Sequence, residues 1–146
     1  MTPATAVATV ASELLHQTTQ CFAVAFTPDK ARVGRMRRIA AAHLRLWKVS
    51  GSTADDIVLA VSELVTNGIQ HGRGDIGLKV LYAAGEVRVE VTDGNPAPAQ
   101  LTSAGNDDVS GRGLFLVAVF ARDWGVSNDG KTTWCVFPVP VPAGRL

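Results

Sequence analysis

The stretch Ser62-Glu63-Leu64-Val65-Thr66-Asn67-Gly68-Ile69-Gln70-His71 governs how the rest of the chain is read. Successive residues of an α-helix turn by about 100°, so positions four apart drift by only about 40° and Glu63, Asn67 and His71 fall on one stripe. Ile57, Val61, Leu64 and Val65 form a separate apolar stripe, the one expected to face a core. A carboxylate, an amide and an imidazole aligned on the flank can converge on one ligand, whereas an isolated Glu-x-x-x-Asn would be only a solvated polar face. Gly68 points to a close approach: glycine inside a helix costs ~1 kcal/mol relative to alanine, and another group packed against it is a physical reason to bear that cost.

On either side of this stretch, Ser52 is expected to cap the helix, with Asp55 and Asp56 complementing its positive end, and Gly72 to close it after about Gln70. Upstream, Val33, Met36, Ile39, Ala40, Leu44 and Trp47 recur at helical spacing. Arg32, Arg35, Arg37, Arg38, Arg45 and Lys48 make that helix strongly basic, and Ser50-Gly51 is expected to break it. A basic helix of this kind suits an acidic protein partner, although a solvated face explains the same charges. Gln20–Phe26 reads as a strand ended by Thr27-Pro28, and residues 1–19 as a loose arm.

Downstream, Ile76–Tyr82 and Val87–Val91 alternate on either side of Ala83-Ala84-Gly85-Glu86, which predicts an antiparallel hairpin. Residues 94–110 hold glycine, proline, Asn and Asp with no period, an unusually long loop of the kind that is often functional. A helix over Arg112–Arg122 follows, and then strands near Trp124–Ser127 and Thr132–Phe137 joined by Asn128-Asp129-Gly130. Residues 139–146 are a proline-rich tail that cannot continue a central strand. The element order predicts an α+β two-layer sandwich. A mixed, mainly antiparallel sheet spans residues 20–138, with about three helices on one face.

Two further segments carry chemistry. Val89-Glu90-Val91-Thr92-Asp93-Gly94 is an apolar strand ending in an aspartate, which either caps a turn or accepts a hydrogen bond from a ligand amine beyond the sheet end. Ser110-Gly111-Arg112-Gly113-Leu114 opens an apolar helix with glycines, where free N–H groups and the positive helix end suit phosphate. No strand precedes it directly and no Gly-Lys-Ser/Thr loop occurs in the right setting, so neither a dinucleotide fingerprint nor a P-loop is present.

The composition bounds these readings. A chain of 146 residues with 14 basic and 13 acidic side chains, 47% apolar and 18% charged, fits one globular domain and excludes a disordered one. The net charge of +1 disfavours a nucleic-acid binder driven by overall charge. Cys21 and Cys135 lie far apart without metal-ligand spacing and read as core thiols. The longest clean apolar run, Leu114–Ala121, is far short of the ~20 residues needed to span a bilayer, and no basic residue precedes Lys30 to begin a secretory signal. A cytoplasmic protein is expected.

The order of these motifs resembles the ATP-binding domain shared by gyrase, the heat-shock chaperone, histidine kinases and mismatch-repair ATPases. Within that superfamily it looks most like the short anti-sigma-factor serine kinases. The likeness runs from Glu63 to Phe137 by motif and back to Gln20 by element order. It implies an ATP lid in the long loop, Asn67 as the holder of Mg²⁺, Glu63 as general base, and Asp93 as acceptor of the adenine amino group. It also implies phosphate binding by Gly111, Arg112, Gly113 and Leu114, Thr132 beside the adenine, and His71 and Arg73 near the phosphates. The family's Asp-x-Gly-x-Gly box reads Asp93-Gly94-Asn95-Pro96-Ala97 here, which retains the aspartate and loses both glycines, giving a stiffer turn beside the lid.

The expected activity is ATP·Mg²⁺-dependent phosphorylation of a serine or threonine on a small anti-anti-sigma-type antagonist, with sequestration of a sigma factor and a homodimeric state implied by the resemblance. The competing reading is a nucleotide-dependent interaction module without kinase activity. A sensor histidine kinase would need a phosphoacceptor histidine in a long helical hairpin, and neither His16 nor His43 has one around it.

Overall fold

The computed structural model of the chain describes residues 19–94, 117 and 120–140. Along it run β1 (Gln20–Phe26), α1 (Ala31–Leu46), α2 (Gly51–His71), β2 (Ile76–Ala83), β3 (Glu86–Thr92), β4 (Asp123–Val126) and β5 (Thr132–Pro138). The strands form a single sheet in the order β1-β2-β3-β5-β4. Every pairing in it is antiparallel, where the sequence left room for a mixed sheet.

Strand alternation gives the sheet one covered face. Ile76, Leu78 and Val80 of β2, Val87, Val89 and Val91 of β3, and Cys135 and Phe137 of β5 are all at most 3% exposed. Helix α2 lies across β2, β3 and β5, and α1 packs on α2. The stripe expected to be apolar is the one that meets the sheet, with Ile57, Val61, Leu64 and Val65 each no more than 1% exposed. Burying side chains of this size stabilises the fold by about 1.5–3 kcal/mol each. At the far end of the layer Phe22 of β1 stacks on His43 of α1 at 4.2 Å, and Trp47 approaches Tyr82, closing the helix over the β1 edge.

Several local details depart from the sequence reading. Helix α1 ends before Ser50-Gly51, because Lys48 adopts a left-handed conformation (φ 62°). The Val49 N–H then reaches back to the Leu44 carbonyl at 2.8 Å and the Lys48 N–H to that of Arg45 at 3.1 Å. These two bonds satisfy carbonyls that the helix end would leave unpaired, and buried Val49 and Leu44 accompany them. Helix α2 begins two residues early at Gly51, whose φ of 69° turns the chain, and the preceding cap residue is Ser50 with no side-chain cap bond, so Ser52 is not the cap. Cys21 is exposed rather than in the core, since it points to the uncovered face with Ala23 and Ala25, while Cys135 is buried.

The β2–β3 hairpin expected from the sequence is present, but Ala83 pairs with Glu86, so the strands extend into the expected four-residue connection and the turn itself is Ala84-Gly85, both with positive φ. Of the helix predicted over 112–122, Val117 and Phe120 are described as helical; Val117 is 2% exposed and Phe120 46% exposed. The loose arm of residues 1–18 and most of the lid loop lie outside the described residues. The proline-rich tail leaves β5 under restraint, as the Val139 N–H donates to the Gly85 carbonyl at 2.8 Å.

Antiparallel pairing sets what meets at the functional end of the sheet. Phe26 lies opposite Ile76, Gly77 opposite Thr92, and Thr92 opposite Thr132. The end of β3 and the starts of β2 and β5 therefore gather at one edge of the sheet. Helix α2 ends at the same place, because only four residues separate His71 from Ile76.

Candidate functional site

Helix α2 supplies the first part of the site. Glu63 and Asn67 are half-buried on its flank, next to buried Leu64 and Gly68, and His71 is exposed at its last turn. Burial pushes the Glu63 carboxyl above the ordinary carboxylate range, and the Arg37 guanidinium of α1 pulls it part of the way back. Arg37 also donates from Nη1 to the hydroxyl of Ser62 at 3.2 Å, which ties α1 to the residue just before Glu63. A carboxylate raised in this way is a better proton acceptor than a solvated one.

Gly68 has the reason that its helical position suggested. A Cβ there would lie 3.3 Å from Cγ1 of Val91 and 3.6 Å from two methyl carbons of Ile76, so the helix rests on β2 and β3 at the residue after Asn67. This contact fixes the height of Asn67 above the sheet.

The second part is the junction between the end of α2 and the end of β3. The Gly72 N–H bonds to the Gly68 carbonyl at 2.8 Å, the Gly94 N–H to the Arg73 carbonyl at 2.7 Å, and the Asp93 N–H to the Lys131 carbonyl at 2.9 Å. Asp93 is thereby held through its own N–H by the residue ahead of β5, and through that of Gly94 by the chain leaving α2. Its side chain turns toward the helix, since a Cβ on Gly72 would stand 2.7 Å from the Asp93 Cβ and 2.8 Å from its Cγ.

The third part is the start of β5. The Thr132 hydroxyl bonds the Thr92 hydroxyl at 2.8 Å across the strand pair. By alternation that puts Thr132 on the sheet face opposite to Val91 and Thr133. The hydroxyl on the helix-covered side is that of Thr133, which pairs with Val91 and is 9% exposed. The signal is present in the sequence, because Cys135 and Phe137 at steps of two mark the buried face and Thr133 belongs to their set. Arg37 and Gly72 are legible there only as a surface charge and a helix stop.

The structure thus brings Glu63, Asn67, Asp93 and the Thr132–Thr133 pair to one end of the sandwich, with His71 and Arg73 exposed at its rim. Gly111, Arg112, Gly113 and Leu114 lie outside the described residues. Among the described residues no group of three or more His, Cys, Asp or Glu side chains is placed to hold a metal ion, and no helix is long and apolar enough to cross a membrane.

This donor set fits a nucleotide. A carboxylate held at the end of the sheet can accept a hydrogen bond from the amino group of a base, and an amide oxygen one turn from a half-buried carboxylate suits a phosphate-bound cation. The comparison with known families agrees: the histidine kinase-like ATPase domain matches residues 26–137, and the chain belongs to that family. A search of curated proteins found no match. The family makes this an ATP-binding domain.

Proposed function

We propose that the chain is an ATP-dependent serine/threonine protein kinase of the anti-sigma-factor type, which phosphorylates a small antagonist protein and sequesters a sigma factor according to nucleotide state. The observation that carries this reading is Glu63. It is a half-buried carboxylate, raised by its surroundings, one helical turn from Asn67.

In this reading Asp93 accepts the adenine amino group, the Thr133 hydroxyl is the one on the same, helix-covered face of β5, with Thr132 on the opposite face, and Asn67 holds Mg²⁺ through its amide oxygen. Magnesium suits so sparse a protein ligand set, since it keeps several waters and takes its other ligands from phosphate. Gly111, Arg112, Gly113 and Leu114, which the sequence predicts to open a helix, hold the phosphates through backbone N–H groups, with His71 and Arg73 at the rim. Bound ATP·Mg²⁺ supplies the transferable phosphoryl group and neutralises its charge. The chain's own task is to orient the acceptor hydroxyl and take its proton on Glu63, which is sufficient for a reaction that depends mainly on positioning and charge. A cytoplasmic homodimer is the setting the resemblance suggests.

Incubation with γ-labelled ATP, Mg²⁺ and proteins retained in a nucleotide-dependent pull-down tests the proposal. Label should pass to a serine or threonine of a retained protein, and Glu63→Ala should slow the transfer about 10²–10⁴-fold while leaving ATP binding intact. Retention that depends on Asn67 and ATP, with no transfer by the wild type, would make the chain an interaction module instead.

A further inference from the structure

Gly72 is not explained by its backbone. Glycine is usual after a helix because the chain there often turns left-handed, but Gly72 has φ −82° and ψ 178°, a conformation open to any residue. What a side chain would meet is the neighbouring structure. A Cβ would come within 2.3 Å of the Gly68 carbonyl oxygen, 2.7 Å of the Asp93 Cβ and 2.8 Å of the Asp93 Cγ.

Neither neighbour is free to yield. The Gly68 carbonyl accepts the Gly72 N–H at 2.8 Å as the last bond of α2. Asp93 is anchored through its own N–H to Lys131, and the next residue is anchored to Arg73. The helix end and the strand end are therefore fitted against each other across a gap only a hydrogen atom wide, and the group seated in that fit is the carboxylate that receives the adenine amino group in the proposed function.

We propose that Gly72 is a specificity-determining positioning residue: by lacking a side chain it seats the Asp93 carboxylate in the pose that distinguishes adenine from a base without an amino group at that position. The inference rests on the proposed reading of Asp93 as the base acceptor. It predicts that a methyl group at residue 72 displaces the carboxylate and weakens selection of the base, while binding through the phosphates, which ATP and ITP share, persists.

The test measures dissociation constants of the whole chain for ATP and for ITP, with Mg²⁺, in the wild type, Gly72→Ala and Asp93→Ala. A hydrogen bond to a charged group corresponds to a preference of about tenfold to a hundredfold for ATP in the wild type. Gly72→Ala should bring the ratio close to one by weakening ATP and sparing ITP. A merely structural role would weaken both ligands equally and leave the ratio at the wild-type value, which would overturn the proposal.

Asp93→Ala distinguishes failure of the base-acceptor reading from failure of the role given to Gly72. If it retains the preference, the base-acceptor reading falls and the inference with it; if it abolishes the preference and Gly72→Ala does not, only the inference falls. Should Gly72→Ala fold too poorly for binding, a double-mutant cycle on stability decides whether the two residues are fitted together. Adding Gly72→Ala to Asp93→Gly should lower the melting temperature by less than adding it to the wild type, and an equal loss would show that residue 72 is not fitted to Asp93.

Discussion

Replacement of Gly68 tests how α2 is seated, and its magnitude follows from opposing effects. Gly68→Ala gains ~1 kcal/mol of helix propensity. Its new Cβ stands at 3.3 Å from Val91 Cγ1, a few tenths of an ångström inside the ordinary range, and Val91 cannot step aside because β3 is paired on both edges. The helix must rise slightly, so the two effects nearly offset and the net change should stay within about 1 kcal/mol. Gly68→Val is different. Two more methyl groups enter a space already filled by Val91 and Ile76, and overpacking costs about 1–3 kcal/mol against a smaller gain in propensity. For a chain of this length about 2 kcal/mol lowers the melting temperature by roughly 6–10 °C. Urea unfolding and thermal melts of the two variants measure the contrast. A Gly68→Val protein as stable as the wild type would refute the seating of α2 on β2 and β3, and with it the placing of Asn67.

Other outcomes follow from the same geometry. Because burial raises Glu63 and Arg37 opposes the rise, phosphoryl transfer should fall as pH drops through the raised Glu63 pKa, at a higher pH than an ordinary carboxylate would give. Arg37→Ala removes the opposing charge and should move that acid limb to still higher pH, as a pH profile of transfer would show; an unmoved limb would separate Arg37 from Glu63. A carboxyl whose folded pKa lies above its unfolded one lends stability at low pH that is lost as pH rises through the folded value. Glu63→Gln should therefore melt no lower than wild type at neutral pH, and its advantage should shrink on acidification. Burial pushes the Cys135 thiol up to about 12, whereas Cys21 is exposed, so a maleimide at neutral pH should label one thiol per folded chain and two only after unfolding.

The fold is largely legible in the sequence because its signals are local and periodic. The Gln20–Phe26 strand, the hairpin around Ala83–Glu86 and the separation of the Glu63–Asn67 stripe from the Ile57–Val65 stripe follow from spacing alone. The structure departs from the sequence reading where a tertiary contact outweighs a local cue. Lys48 takes a left-handed turn ahead of the expected break at Ser50-Gly51, because Val49 can be buried by closing back on Leu44. Cys21 looks like a core thiol by residue type, yet the phase of β1 sends Phe22, Val24 and Phe26 inward. In the site, Glu63, Asn67 and Asp93 are legible as motif residues. The fit between Gly72 and Asp93 is not, because it joins residues 21 positions apart whose contact depends on the sheet register.

If the flank of α2 and the end of β3 form one nucleotide site, removing the amide on the helix must remove the response of the whole fold to ATP. The ATP·Mg²⁺-induced shift in melting temperature of the wild type, beside that of Asn67→Ala, measures this most directly. At a hundredfold excess of ATP over its dissociation constant the wild type should gain ~2.7 kcal/mol and melt several degrees higher, while Asn67→Ala at the same concentrations should show little or no shift. Equal shifts in the two proteins, or none in the wild type at millimolar ATP and Mg²⁺, would contradict a shared site.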